Sequence, residues 1–153
     1  MPLGLPKDHA IRIPEDECAP PLSFRWELGS EQIQPIALVA DDFQMNRKLM
    51  DRMLKGLDMD LVRAVDGQDA VEKSMARKFS IIFMDFYMPK MNGNEAAIQI
   101  RHYPNNPNIK TPIVALTASA TPETRKASQE AGMNDYLKKP VSRVDVFKLC
   151  VKM

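Results

Sequence analysis

The chain has 153 residues, 44% of them hydrophobic, which is enough for one domain with a packed core and short for two. Its 21 lysines and arginines nearly balance 20 acidic residues, so no net charge attracts it to nucleic acid or to an anionic membrane. The sequence has neither an apolar run of the roughly 20 residues that would span a bilayer nor a secretion signal. We therefore expect a cytoplasmic chain, alone or as the soluble part of a membrane-bound protein, with no direct contact to nucleic acid or membrane.

Residues 1–34 differ in composition from the rest of the chain. They are rich in proline and carry an acidic patch at residues 15–17, which is typical of an extended linker. Within them, LSFRWEL at 22–28 alternates apolar and polar residues as a short strand would, and it either stays loose or clamps onto the main domain. We predict a proline-rich linker or N-terminal extension at 1–34 and one domain at 35–153. Cys18 and Cys150 have no metal-binding spacing, and we interpret both as free thiols.

From Pro35 onward, short apolar runs alternate with segments of helical periodicity. The apolar runs predict strands at 36–40, 60–65, 80–85, 113–116 and 135–137. A helix is predicted after each strand, at about 45–57, 70–77, 94–101, 121–131 and from 142 onward. On the first helix we expect Met45 and Leu49 to belong to the apolar face that packs on the sheet. This alternation predicts an α/β domain with a doubly wound parallel sheet covered by helices on both faces.

Polar residues stand where the predicted strands end. The pair Asp41-Asp42 follows the first strand, Asp85 ends the third, Thr117 follows the fourth, and Lys138-Lys139 follows the fifth. Because ligands of open parallel sheets gather at the carboxyl ends of the strands, these side chains are expected to converge. Carboxylates forced together need a cation, and hard oxygen ligands suit Mg²⁺. With that charge screened, Asp85 is the candidate nucleophile toward phosphorus, with a lysine and Thr117 holding the phosphoryl oxygens.

Each of these residues also has a plain structural interpretation. Asp41 and Asp42 are suited to capping the first helix, since carboxylates stabilise helix N-termini. Asp85 suits a turn before Met88-Pro89, and Thr117 suits the loop after its strand. The functional interpretation depends on all of them occurring together, in this order, at strand ends.

Four motifs carry a resemblance to a known family: LVADDFQMNR, MDFYMPKMNG, VALTA and YLKKP. Residues 35–153 resemble the receiver domain of two-component response regulators, with a flavodoxin-like (βα)5 sheet in the order 2-1-3-4-5, an order for which a receiver is itself a standard example. The resemblance implies phosphorylation of Asp85 by a histidine kinase or histidine phosphotransfer protein, with Mg²⁺ or Mn²⁺ bound. It also implies a homodimer that forms on phosphorylation as one output.

The same resemblance implies roles for individual residues. The metal would be bound by Asp85, by Asp42 directly, by Asp41 mainly through water, and by the backbone carbonyl of Tyr87. Thr117 and Lys139 would sense the phosphate, and Lys139 is preferred to Lys138 because the family's lysine directly precedes a proline. The other implied features are a cis peptide bond between Lys139 and Pro140 and a switch aromatic at Tyr136.

The sequence departs from the family pattern at Asn92, where an acid usually stands, which we interpret as a harmless loop substitution. Tyr87, two residues beyond Asp85, is bulky, and we predict that its ring shields the phosphate and lengthens its lifetime.

The chain resembles receivers of hybrid histidine kinases more than those of DNA-binding regulators. One rival function is an aspartate-nucleophile phosphatase of the haloacid-dehalogenase type, but its second aspartate would stand where this chain has Tyr87. A second rival is a receiver-like module that binds partners without phosphorylation, against which the complete acidic set argues.

Overall fold

A computed structural model describes the backbone of residues 35–152 and the side chains as far as residue 150. Five strands alternate with five helices in this range. The strands are β1 Ile36–Ala40, β2 Asp60–Ala64, β3 Ile81–Asp85, β4 Ile113–Thr117 and β5 Asp135–Lys138. The helices are α1 Gln44–Lys55, α2 Gly67–Ala76, α3 Gly93–His102, α4 Pro122–Glu130 and α5 Arg143–Lys152. The predicted alternation is confirmed, and none of these helices has the length and apolar character needed to cross a membrane.

All five strands form one parallel sheet in the order β2-β1-β3-β4-β5, which confirms the predicted topology. The central strand β3 is buried along its whole length, because helices cover both faces of the sheet. Its register aligns Asp85 with Leu116 of β4, and the register of β4 aligns Thr117 with Lys138 of β5. The carboxyl ends of β3, β4 and β5 therefore lie side by side.

The core has two layers, one on each face of the sheet. On one face α1 and α5 pack through residues that include Met53, Leu54, Val146 and Leu149. On the other face α2 and α3 pack through short side chains such as Ala70, Ala96 and Ala97, together with Ile100. Burial stabilises the fold by about 1.5–3 kcal/mol for each large aliphatic side chain. The packed layers on both faces therefore hold the edge of the sheet in a fixed geometry.

The predicted apolar face of α1 is wrong at its N-terminal end. Met45 is 68% exposed and Leu49 is 42% exposed, whereas Met50, Met53 and Leu54 are buried. At about 100° per residue, Met45 and Leu49 lie to one side of the stripe formed by the buried residues of α1. The helix was identified correctly, but its buried face was drawn too wide.

Helix caps fix the loops that follow the site strands. The side chain of Asn92 accepts a hydrogen bond from the amide of Glu95, and the Glu95 side chain accepts one from the amide of Asn92. Asn92 therefore begins α3 with a capping box, which gives this substitution a structural role that the sequence did not suggest. Thr121 and Thr124 form the same kind of reciprocal cap at the start of α4.

Some predictions fall outside the described part of the chain. The linker at 1–34, the LSFRWEL segment and the thiol of Cys18 all lie there. Cys150 lies within it and is a free, buried cysteine, and burial raises the pKa of its thiol to about 12. A thiol with that pKa is unreactive near neutral pH.

Candidate functional site

Three carboxylates meet at the carboxyl edge of the sheet. Asp41 directly follows β1, Asp42 begins the loop to α1, and Asp85 is the last residue of β3. Each places a carboxylate oxygen within 4.8 Å of the other two. Asp41 is completely buried and Asp85 is 6% exposed, whereas Asp42 faces solvent. The edge therefore combines a shielded pair of acids with one that is open to incoming ligands.

Lys139 bridges the two buried carboxylates. Its Nζ donates a hydrogen bond to Asp85 Oδ1 at 2.9 Å and lies 3.4 Å from Asp41 Oδ2. Lys139 follows β5 directly, and its peptide bond to Pro140 is cis. The neighbouring Lys138 is exposed, and no side-chain hydrogen bond or ion pair links it to the other described residues. The predicted lysine thus lies at the acidic cluster, and its rival does not.

The electrostatics of the site shift two pKa values. Burial raises the pKa of Asp85, the hydrogen bond from Lys139 opposes that rise, and the negative charge of Asp41 adds to it. Burial alone would lower the pKa of Lys139, but its hydrogen bond to Asp85 and the charges of Asp85 and Asp41 outweigh that effect and raise it. The ammonium group therefore stays charged at neutral pH, and the crowded carboxylates carry an excess of negative charge that one lysine does not balance.

The donor set fits a divalent cation. Asp41 Oδ2 is buried and has no hydrogen-bond donor among the described residues, although a buried carboxylate oxygen ordinarily has one. Several carboxylate oxygens at this spacing are the hard ligands that Mg²⁺ prefers, and a cation would offset their repulsion. Asp41 Oδ2 has the ion pair with Lys139 Nζ at 3.4 Å but no hydrogen bond within the described range, and together with the three converging acids this points to a metal.

The loop after β3 is packed tightly around Asp85. The amide of Gly93 donates to the carbonyl of Phe86 at 2.9 Å, and the amide of Phe86 donates to the carbonyl of Leu116 at 3.0 Å. A side chain at Gly93 would overlap the carbonyl oxygen of Asp85. The Tyr87 ring is 72% exposed and packs edge-on against Phe86, with 4.7 Å between ring centroids. Two backbone hydrogen bonds and the close approach of Gly93 to the Asp85 carbonyl thus hold Asp85 and the start of the Tyr87 loop in place.

Thr117 is the last residue of β4 and is 7% exposed. Its hydroxyl donates to the carbonyl of Ser119 at 2.8 Å and accepts from the amide of Ser119 at 3.1 Å. The side chain is therefore engaged with its own loop in this structure, and its hydroxyl must leave the Ser119 carbonyl before it can donate to a ligand at Asp85.

Tyr136 lies on β5, on the α4 side of Thr117. The Arg125 guanidinium lies over its ring, with the central carbon 4.7 Å from the ring centroid, a cation–π contact. A narrow cleft behind the ring is lined by Phe86, Ala115 and Thr117. The aromatic side chain and the strand-end threonine thus border the same space.

Two residues at this edge were not predicted from the sequence. Arg47, in α1, donates from Nη1 to the carbonyl of Asp41 at 2.7 Å. Arg125 holds Tyr136 from α4. Both arginines lie among the polar residues of their helices, where charged side chains usually face solvent. No signal in the sequence therefore distinguished them from ordinary surface residues.

Comparison with known proteins gives the family. A model described as response regulator receiver domain matches residues 37–150. The chain is 39% identical over 112 residues to the peroxide stress-activated histidine kinase mak2 of Schizosaccharomyces pombe, covering 70% of this chain and 5% of that protein. It is 32% identical to the sensor protein GacS of Pseudomonas syringae, covering 94% of this chain and 15% of GacS. The chain thus spans only a small part of these relatives.

Solved structures agree. The receiver domain of the sensor histidine kinase PA1611 from Pseudomonas aeruginosa, with magnesium in its active-site cleft, matches with a TM-score of 0.71 and 31% identity, covering 78% of this chain and 97% of that one. The receiver domain of Ssk1 from Saccharomyces cerevisiae, crystallised with the phosphotransfer protein Ypd1, matches with a TM-score of 0.67 and 29% identity, covering 78% and 86%. The chain belongs to the response regulator receiver domain family, the domains of two-component phosphorelays that also occur in hybrid histidine kinases.

Proposed function

We propose that Asp85 is the phosphoacceptor of this receiver. The observation that carries the proposal is the bridge from Lys139 to Asp85 and Asp41, which places an ammonium group beside the carboxylate at the end of the central strand. In the transfer, a carboxylate oxygen of Asp85 forms a bond to phosphorus while the phosphorus–nitrogen bond of a phosphohistidine breaks. The electron pair of the broken bond stays on the imidazole nitrogen. The result is an aspartyl phosphate and a free histidine on the donor.

Asp42, Asp85 and the Tyr87 carbonyl would hold Mg²⁺ or Mn²⁺, with Asp41 acting mainly through water. When bound, the cation neutralises charge on the carboxylates and on the phosphoryl oxygens. The support in this chain is the cluster of acidic oxygens and the buried Oδ2 of Asp41, which accepts no hydrogen bond from the described residues.

The residues around Asp85 would then respond to the new dianion. Lys139 is already 2.9 Å from the Asp85 carboxylate and needs little movement to donate to a phosphoryl oxygen. Thr117 would exchange its bond to the Ser119 carbonyl for one to the phosphate. As Thr117 moves, Tyr136 would turn toward the cleft that it shares with Thr117, and the α4–β5–α5 surface would shift its population between two states.

The donor would be a histidine kinase or a histidine phosphotransfer protein. Exposed apolar side chains lie around the acidic edge, at the N-cap and in the first turns of α1 and in the β3–α3 loop. They are Phe43, Met45, Leu49 and Tyr87, which are 58%, 68%, 42% and 72% exposed. Such a rim beside a reactive carboxylate suits a partner that must approach closely for transfer. The complex of Ssk1 with Ypd1 supports a partner of this type.

We further propose that the receiver occupies residues 35–153 and that residues 1–34 connect it to another domain of a hybrid histidine kinase. The family match over 37–150 and the kinase relatives support this arrangement. In that setting the receiver would work in the cytoplasm.

The test is phosphorylation by acetyl phosphate with and without Mg²⁺, followed by intact mass and peptide mapping. We expect incorporation only with Mg²⁺ and only at Asp85, and none in Asp85→Asn. Asp69→Asn is the control for the loss of one carboxylate, since Asp69 lies in the first turn of α2 and outside the cluster, and this variant should incorporate phosphate normally. Incorporation into Asp85→Asn would refute the assignment. Steady turnover of p-nitrophenyl phosphate would favour the phosphatase, and failure to bind beryllofluoride with Mg²⁺ would favour a module that works without phosphorylation.

A further inference from the structure

Arg47 makes an unusual contact for a residue in the first turns of a helix. It lies in α1, is half-buried, and donates from Nη1 to the backbone carbonyl of Asp41, six residues earlier, at 2.7 Å. A guanidinium hydrogen bond of this length is among the stronger ones in proteins. Its acceptor is the carbonyl of the peptide group that joins Asp41 to Asp42.

The two peptide groups that flank Asp42 are each held by one hydrogen bond. The carbonyl of the first is held by Arg47, and the amide of the second, at Phe43, donates to Asp41 Oδ1 at 2.9 Å. Asp41 is itself fixed to the sheet, since its amide donates to the carbonyl of Ala64 at 3.1 Å. The peptide group before Asp42 is thus anchored to α1 through Arg47, and the peptide group after it is anchored to the Asp41 side chain.

Asp42 has no comparable support for its own side chain. Its carboxylate is exposed and forms no hydrogen bond or ion pair with other residues in the described range, although it lies in the acidic cluster. The flanking peptide groups therefore set the direction of the Asp42 Cα–Cβ bond, and with it the region that the carboxylate can reach. If the first were free to rotate, the carboxylate would sample orientations that do not converge with Asp85.

We propose that Arg47 is a positioning residue for the metal site, which holds the Asp41–Asp42 peptide so that Asp42 is oriented before the cation arrives. The proposal rests on the Mg²⁺-dependent function above and adds to it a residue outside the acidic and phosphate-sensing set. A ligand ordered in advance gives a higher affinity than one that must be ordered on binding. Arg47 would therefore strengthen cation binding although it is itself a cation.

The sign of the effect separates positioning from simple electrostatics. A positive charge near the acidic cluster repels a divalent cation, so removal of the charge alone should tighten Mg²⁺ binding or leave it unchanged. Loss of positioning should weaken it. Lys48, the next residue in α1, is exposed and carries the same charge, with no hydrogen bond to the Asp41–Asp42 loop. Lys48→Met is thus a control for charge alone.

The experiment is an amide NMR titration of the full chain with Mg²⁺ after removal of bound metal, on the unsubstituted protein, Arg47→Met, Arg47→Lys and Lys48→Met. We expect Arg47→Met to raise the dissociation constant about ten-fold, a loss of about 1.4 kcal/mol. Arg47→Lys should recover part of the affinity, since lysine can also donate to the carbonyl. Lys48→Met should bind as tightly as the unsubstituted protein or more tightly.

The metal-free spectra give a second readout. In Arg47→Met the amide signals of Asp42 and Phe43 should shift or broaden while signals from β3 stay in place, since only the loop is released. An affinity in Arg47→Met equal to or higher than that of the unsubstituted protein would overturn the proposal, as would weakening in Lys48→Met of the same size. Absence of Mg²⁺ binding in the unsubstituted protein would instead refute the metal-dependent function, and the role of Arg47 with it.

Discussion

Gly93 offers a sharp test of how the site is held together, because its nearest neighbour is the backbone of Asp85. An alanine methyl at this position would overlap the Asp85 carbonyl oxygen and lie 3.1 Å from both the Asp85 carbonyl carbon and Met84 Cγ. Ordinary contacts of a Cβ begin at 3.4 Å. Since the obstructing atoms are mainly backbone at the end of the central strand, relief requires β3 and the start of α3 to move apart by on the order of 1 Å.

The energetic cost follows from that displacement. Overpacking of this kind costs about 1–3 kcal/mol, and the lower unfolded-state entropy of alanine returns about 0.4–1 kcal/mol. The matched control is Gly56→Ala at the end of α1, where the methyl would meet only an arginine side-chain tip and a carbonyl of the preceding helical turn, both at 3.3 Å. Gly56 has φ −65° and ψ −19°, which alanine adopts readily. We expect Gly93→Ala to be less stable than Gly56→Ala by about 2 kcal/mol.

Thermal and urea unfolding without metal would measure this difference, which corresponds to a Tm lower by roughly 6–8 °C for a domain of this size. Phosphorylation from acetyl phosphate supplies the functional readout, because a 1 Å displacement of a reacting group lowers rates by roughly 100-fold. Equal stability and equal phosphorylation rates for the two variants would show that the contact between Gly93 and Asp85 does not constrain the site.

Three further predictions concern single side chains. Asp85→Asn should stabilise the metal-free fold at pH 7, because burial and the charge of Asp41 raise the pKa of Asp85. The folded state then holds the Asp85 proton more tightly than the unfolded state, so the stability of the unsubstituted protein falls as pH rises above the ordinary pKa of 3.8. In urea unfolding, the extra stability of Asp85→Asn should therefore vanish below pH 3.8. A variant that is less stable than the unsubstituted protein at pH 7 would contradict this. Tyr87→Ala should shorten the lifetime of the aspartyl phosphate, measured as loss of label after removal of the donor, and an unchanged half-life would refute shielding. Asn108→Ala should lower the free energy of unfolding by about 3 kcal/mol or more, because the Asn108 side chain is fully buried and makes four hydrogen bonds. Its partners are Ser74, Arg77, Phe79 and Thr111. A loss below about 1 kcal/mol in urea unfolding would contradict this prediction.

The strands and helices were predictable because their signals are local. An apolar run such as IIFMD can be stable as a buried strand only between covered faces, and a helical period is visible within two turns. The same local view failed at Met45 and Leu49, which are apolar and one turn apart but lie beside the buried stripe of α1 and not within it. It also missed the capping role of Asn92, since an asparagine before a glycine is equally typical of a turn.

The order of residues was enough to predict that a carboxylate stands at the end of the central strand and that two more follow β1. It also predicted that they converge, because parallel strands present their carboxyl ends at one edge. Which side chains are in contact at that edge became visible only in the folded domain. It brings Lys139 to Asp85 across 54 residues of sequence and leaves Lys138 exposed. It also turns Arg47 back onto the Asp41 carbonyl. These contacts depend on the register of neighbouring strands and on the path of the loops between them, which no short window of sequence specifies.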